Sequence, residues 1–230
     1  MHKTKLLVVG LCLGLAACGI QNDTDQSEEK DQKSNMEQVK QEPEHHKEVK
    51  DGVTYVDDIL IVNADHPLPE DYNPGEDPKA KKALNQLLED GNQEGLNLFI
   101  TSGFRSYQYQ EQVFNEYVQR DGKAAAKKYS AEPGTSEHQS GLAFDIGSQD
   151  APNNFDQSFG ETNAGKWIKN HAHEYGFIVR YPEGKEDITG YQYEPWHLRY
   201  VGKSDAEKIK ESGKALEEYV GLDKEDKENN

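Results

Sequence analysis

The sequence predicts an α+β domain in which helices pack around a small antiparallel sheet. Segments with apolar residues at helical spacing are mixed with short runs rich in β-branched and aromatic residues. These follow one another without the regular strand–helix–strand rhythm of a parallel sheet. The stretch that carries them, Val53 to about Val220, has a length suited to one domain with a single core.

The 230-residue chain opens with Met1-His2-Lys3-Thr4-Lys5 and an apolar and glycine run from Leu6 to Ala17. That is the charged n-region and short h-region of an export signal, too short to span a bilayer. Leu15-Ala16-Ala17-Cys18-Gly19 places small residues before a cysteine and resembles a bacterial lipobox. The resemblance implies removal of residues 1–17 and diacylation of Cys18, and two acyl chains anchor a protein stably. The expected location is extracytoplasmic, on the cell membrane as a lipoprotein. An ordinary signal peptide with a chance cysteine fits the same cleavage pattern.

The only other cysteine, Cys12, lies inside the segment to be removed. The mature chain then has no disulfide and no thiol, which excludes every mechanism built on a cysteine nucleophile. The formal charge of −17 becomes −19 without Lys3 and Lys5, and so acidic a surface argues against nucleic acid as a partner. No oligomer signal is visible, so a monomer is expected. Residues 18–52 are nearly all polar and charged, a composition that cannot bury enough surface to offset the entropy of ordering. They are expected to form a tether, with His45-His46 solvated in it. Residues 221–230 read as a charged tail.

Within the domain, Ile59-Leu60-Ile61-Val62 reads as a short strand. Pro78 to Glu89 reads as a helix with Ala83, Leu84, Leu87 and Leu88 on one face and Gly91 as its stop. Leu96 to Thr101 is a strand leading into the Ser102-Gly103-Phe104-Arg105-Ser106 turn. Ser106 caps a helix in which Tyr107, Gln110, Val113, Phe114 and Tyr117 recur at helical spacing as far as Asp121-Gly122. Ala124 to Tyr129 adds a helical turn or two. Leu142 to Ile146 is a strand, Glu161 to Tyr175 a helix stopped by Gly176, and Phe177 to Arg180 a buried strand before Pro182. Trp196 to Val201 is a further strand, and Ser204 to about Glu211 a closing helix.

Two stretches carry side chains for which a core has no use: Ser136 to Asp145, and Glu194-Pro195-Trp196-His197. A catalytic zinc takes three protein ligands from histidine and carboxylate and leaves its fourth position to water. His138, Asp145 and His197 complete that set, with folding bringing the two segments together. Gly141 and Ala143 are small enough for a backbone that turns close to a metal. Glu194, three residues before His197, is placed to act as general base on an attacking water. Positions i and i+3 of a regular strand face opposite sides, so Pro195 is expected to break the alternation and turn Glu194 inward. By themselves the same residues also fit hydrogen-bonded core or surface histidines, with Asp145 closing a turn.

Ser136 to Asp145 fits S-x-H-x-x-G-x-A-x-D and Glu194 to His197 fits E-x-W-H. Together they resemble the VanY-type D-alanyl-D-alanine carboxypeptidases, a family that includes L,D-carboxypeptidases trimming peptidoglycan stem peptides, within the lysostaphin-like and hedgehog-like zinc superfamily. The likeness runs from about Val53 to Val201. It takes in the Ser-Gly-Phe-Arg-Ser turn, Tyr175-Gly176-Phe177 and Arg180-Tyr181-Pro182. It implies a zinc site in a central cleft with one Zn2+ per chain, held by His138, Asp145 and His197, and Glu194 as the catalytic glutamate. Arg105 matches the arginine that meets the substrate's terminal carboxylate or the developing oxyanion, a task suited to a planar fork of donors. Gln110, Ser136 and Tyr181 match the family's substrate-contacting set; Tyr181 also fits a packing aromatic and Ser136 a cap of the ligand loop.

The implied activity is release of a terminal D-alanine from stem peptides, at either the D-Ala-D-Ala or the L,D tetrapeptide bond. Two other functions fit: an endopeptidase cutting peptidoglycan crosslinks, which does not need Arg105, and a non-catalytic wall-binding lipoprotein that keeps zinc for structure. The last calls for a closed site with a fourth protein ligand, and none is evident.

Overall fold

A computed structural model describes residues 44–223. The expected export signal, Cys18 and most of the expected tether and tail lie outside them. Among the described residues no helix is long and apolar enough to cross a membrane.

The first three strands, β1 (Lys47–Lys50), β2 (Val53–Val56) and β3 (Ile59–Ile61), form an antiparallel meander. β1 overturns the expectation that residues before Val53 are tether. It pairs through its backbone from Lys47 opposite Val56 to Lys50 opposite Val53, while its side chains stay largely exposed. A strand held by main-chain bonds at a sheet edge leaves little hydrophobic signal. His45 and His46 are likewise engaged: the His45 Nδ1 lies 2.5 Å from Asp57 Oδ2, and the His46 amide donates to Asp57 Oδ1 at 2.8 Å.

The helix α1 (Pro78–Gln93) follows from its own sequence. Pro78 occupies the first turn, where its missing N–H costs nothing, and Asp77 accepts from the amides of Lys79 and Ala80 at 2.9 and 2.8 Å. Ala80, Leu84, Leu87 and Gly91 form its buried face. Gly91 does not stop the helix. It lies inside, because a Cβ there would stand 2.5 Å from Leu98 Cδ1 and 3.2 Å from the Trp167 ring.

A second, four-stranded sheet has the order β4-β5-β7-β6, every neighbouring pair antiparallel. Its strands are β4 (Leu98–Ser102), β5 (Ala143–Ser148), β6 (Phe177–Val179) and β7 (His197–Tyr200). Between β4 and β5 come α2 (Tyr107–Asp121), capped as expected by Ser106 on the Tyr109 amide at 3.2 Å, and the short α3 (Lys123–Ala126). The expected helix from Glu161 to Tyr175 is α4 (Asn163–His171) followed by a 3₁₀ turn, Ala172–Tyr175, that Gly176 ends at φ +87°. The sequence reading did not anticipate β1, β2, the 3₁₀ turns Glu137–Ser140 and Gln157–Glu161, α5 (Glu186–Thr189) or α7 (Leu216–Tyr219). The latter follows the closing helix α6 (Lys203–Ser212).

The main core joins the four-stranded sheet to α1 and α4 through Leu84, Leu87, Phe144, Ile146, Ile168 and Leu198, all fully buried. Each such side chain contributes about 1.5–3 kcal/mol. A second cluster packs Val56, Ile59 and Ile61 of the meander on Ile178, α6 and α7. The α+β class and the antiparallel small sheet are therefore as predicted, with a second small sheet added.

Gly141, directly after the 3₁₀ turn, adopts φ +75°, and its amide and carbonyl bond to His138 O and the Asp77 amide. A Cβ there would stand 2.0 Å from the carbonyl oxygen of Gly75. Gly141→Ala is expected to cost about 2 kcal/mol or more, lowering the thermal midpoint by roughly 5 °C; calorimetry of the two proteins checks it.

Candidate metal centre and cleft

Asp145 lies on β5, a central strand, directly opposite His197 of β7 and Ser102 of β4. A register shift between Ile100 and Ser102 marks a bulge in β4, a device that re-aims side chains beside a site. His138 arrives from the 3₁₀ turn before β5. Ligand-type atoms of His138, Asp145 and His197 all lie within 4.8 Å of one another, and all three residues are buried. It is the only such group among the described residues.

The orientation of each imidazole is decided by what holds its other nitrogen. His138 Nδ1 donates to the Gly103 carbonyl at 2.8 Å, which turns Nε2 toward Asp145 Oδ2 at 3.2 Å. His197 Nε2 faces Glu137 Oε2 at 3.4 Å, which turns Nδ1 toward Asp145 Oδ1 at 3.1 Å. Despite that distance Asp145 Oδ1 is a buried atom with no hydrogen bond, because the approach is outside hydrogen-bonding geometry. Inward-facing donor atoms converge without satisfying one another. That is the arrangement of a cation site, and two imidazoles with one carboxylate form the donor set of a catalytic zinc.

Burial opposes ionisation of Asp145, yet the two imidazoles beside it hold its carboxyl well below the usual carboxylate range. Burial pushes the His138 imidazole down, so it is neutral and ready to donate a lone pair. Burial also opposes charge on His197, but Asp145 and Glu137 outweigh it and raise its pKa to about 9. Glu194 goes the other way from Asp145: burial, with no compensating partner of equal strength, pushes it up to about 7.

Glu194 and His197 are joined by a tight turn, with the His197 amide donating to Glu194 O at 3.2 Å and Pro195 second in the turn. The turn brings Glu194 Oε2 within 3.9 Å of His197 Nδ1. Glu194 faces inward as expected, but it does so from a turn that ends where β7 begins at His197, so there is no strand alternation for Pro195 to break. Glu194 borders a cleft of about 560 Å³ that also exposes Arg105, Ser136, Tyr181, Trp196 and the three ligand residues.

Arg105 donates through Nη2 to Ser102 Oγ at 3.1 Å and through Nη1 to Gln110 Oε1 at 2.6 Å, while its backbone amide binds His138 O. Gln110 does not reach the cleft. It is fully buried, its amide nitrogen donating to Ala131 O at 2.6 Å, so it orients Arg105 from behind. Ser136 precedes the ligand turn, makes no capping bond with its side chain, and lines the cleft. Tyr181 lines it too, with its ring 5.0 Å from that of His197; burial keeps its phenol protonated well above the ordinary range. His171 bonds through Nδ1 to Trp167 O and stacks on the Trp167 ring, which accounts for it structurally.

Sequence reading passed over Glu137, the side chain behind His197. Its Oε1 accepts from Arg180 Nε at 2.7 Å and Arg199 Nη1 at 2.6 Å, all three fully buried. The available signal was the arginines: Arg180 ends a segment read as a buried strand and Arg199 lies in one read as a further strand, and a buried guanidinium requires a carboxylate.

A family model described as D-alanyl-D-alanine carboxypeptidase, VanY, matches residues 75–203. YodJ of Bacillus subtilis (strain 168), a carboxypeptidase by provisional assignment, is 41% identical over 180 residues, 70% of this chain and 66% of its own. The chain thus spans about two thirds of that curated relative. The L,D-carboxypeptidase DacB of Streptococcus pneumoniae superposes with a TM-score of 0.70 at 43% identity, covering 78% of this chain and 97% of that one. The vancomycin-resistance D,D-pentapeptidase VanY, in complex with Zn(II), superposes with a TM-score of 0.61 at 34% identity, covering 70% and 97%.

Two pH effects follow. At pH 8 His197 of the metal-free protein still holds its proton and must release it to bind a metal, so zinc binding is expected to free about one proton. Titration calorimetry in buffers of different ionisation enthalpy measures it. In the metal-free protein Glu194 is raised from 4.5 to about 7, so the folded state binds the proton more tightly and stability falls as pH rises through that window. Glu194→Gln is expected to be more stable than the parent at pH 8, by about 2–3 kcal/mol at most, and to gain nothing at pH 4; urea melts at both pH values check it.

Proposed function

Because the chain belongs to the VanY family of D-alanyl-D-alanine carboxypeptidases, we propose that it removes the terminal D-alanine from peptidoglycan stem peptides by zinc-dependent hydrolysis. The observation that supports this best is the meeting, in one cleft, of a convergent His-Asp-His donor set, a buried carboxylate with a raised pKa, and an arginine fork held in place.

His138, Asp145 and His197 would hold Zn2+, which would supply the Lewis acidity that activates water at neutral pH and polarises the scissile carbonyl. The rest of the work falls to this chain's side chains. Glu194 has a pKa close to the working pH, the property of a group that takes a proton and returns it. As base it accepts the proton of the attacking water; as acid it delivers that proton to the departing amine of D-alanine. Arg105, with two of its donors anchored by Ser102 and Gln110, offers its guanidinium edge to the carboxylate of the terminal residue. The Tyr181 hydroxyl, protonated at any physiological pH, and Ser136 supply neutral donors along the wall.

Between the two bonds, the L,D tetrapeptide bond is favoured. DacB, an L,D-carboxypeptidase, matches more closely in both sequence and backbone than the D,D-pentapeptidase. A crosslink endopeptidase has no need of a carboxylate-binding arginine, and a structural zinc lipoprotein has no need of Glu194. The export signal and Cys18 support placement on the outer face of the cell membrane, beside this substrate.

Mass spectrometry of muropeptides incubated with the chain is expected to show zinc-dependent conversion of tetrapeptide to tripeptide stems. Conversion of pentapeptide to tetrapeptide instead would assign the D,D bond. Loss of alanine from neither would overturn the carboxypeptidase reading. Glu194→Gln is expected to lower kcat by about 10²–10⁴-fold, and Arg105→Ala to lower kcat/KM by about 100-fold, on substrates with a free terminal carboxylate.

A further inference from the structure

Behind the metal ligands lies a buried chain of ionic hydrogen bonds that the reaction itself does not use. Glu137 divides its two oxygens. Oε1 is taken by two guanidiniums, Arg180 Nε at 2.7 Å and Arg199 Nη1 at 2.6 Å, which leaves Oε2 for His197 Nε2 at 3.4 Å. Arg180 carries on to α7, where Nη1 meets Glu217 Oε2 at 2.9 Å and Nη2 meets Glu217 Oε1 at 2.5 Å. Arg199 is tied at its other end to the carbonyl of Leu60 in β3. Two arginines and two glutamates balance in charge, and Glu217 is itself buried.

The arrangement is directional. With Oε1 taken by two cations, Glu137 cannot swing away from His197 without breaking the Arg180 Nε bond and leaving the buried Arg199 guanidinium with no carboxylate, a costly loss in so dry a place. Its remaining oxygen can only accept from His197 Nε2–H, and an imidazole that donates from Nε2 has its lone pair on Nδ1, which faces Asp145.

We infer that Glu137 is the positioning residue of the metal centre, and that Arg180 extends its support to Glu217 on α7. The C-terminal helix, beyond the family-matched residues 75–203, is on this reading part of the apparatus that sets metal affinity. The inference rests on the metal assignment above but not on the bond that is cleaved.

The test measures Zn2+ affinity of the full chain by competition with a chromophoric chelator, together with the visible absorption of the Co2+-loaded form. Glu137→Gln is expected to bind Zn2+ about 10–100-fold more weakly and to shift the Co2+ bands, because an amide in place of the carboxylate releases the His197 ring. Glu217→Gln, which touches no ligand, is expected to weaken binding by a smaller factor of at least about threefold, with a matching change in the Co2+ spectrum. If Glu137→Gln fails to fold, Glu217→Gln carries the test. Affinity and spectrum equal to the parent's in the folded variants would overturn the inference while leaving the zinc peptidase reading intact. A parent chain that binds no zinc would overturn both.

Discussion

The cross-strand pairing of Asp145 with His197 is the constraint on which the site depends. Two antiparallel strands place these residues opposite each other, and the distance between paired side chains is set by the backbone ladder rather than by side-chain preference. The bulge in β4 and the 3₁₀ turn before β5 then bring Ser102 and His138 to the same spot. Gly141 makes the short connection possible, since its left-handed backbone and missing Cβ let the loop lie against Gly75. Paired strands thus hold two of the proposed ligands, while His138 comes from the 3₁₀ turn before β5 and Glu194 from the turn before β7.

Electrostatics distinguishes carboxylates that look alike in sequence. Asp145, Glu137 and Glu194 are all buried, and desolvation disfavours charge on each. Asp145 faces two imidazoles and Glu137 two guanidiniums, and in both the partners outweigh burial. For Glu194 burial outweighs the single imidazole of His197, and the neighbouring Asp145 and Glu137 carboxylates add to it, so its pKa rises. The same side chain is therefore held as a fixed anion at position 137, while at 194 its raised pKa suits the proton-carrying role proposed for it, a division of labour that proteins make by environment.

Much of the fold was legible because its signals are local. The helix start at Pro78, the Ser106 cap and the stop at Gly176 are short-range chemistry, and each stands where the sequence placed it. Gly91 was misread because a glycine that ends a helix and one that admits a neighbouring Trp167 ring look the same in sequence; only the packing partner tells them apart. β1 escaped because it is held by main-chain bonds and buries little. Glu137 and Gln110 show the same limit at the site. Their importance lies in contacts with residues distant in the chain: Arg180 and Arg199 for one, Ala131 for the other.

By itself the sequence determined the α+β class, the helix starts set by caps, and the candidates for metal and acid–base chemistry, because residue type and spacing carry that information. What only the tertiary structure decided was the use of each: which imidazole nitrogen faces inward, that Gln110 supports Arg105 from behind, and that Glu137 is tied to His197 and, through Arg180, to α7. Those roles depend on distances between groups that the chain separates by up to 60 residues, and on the loss of solvent around them. Neither is a property of any local stretch of sequence.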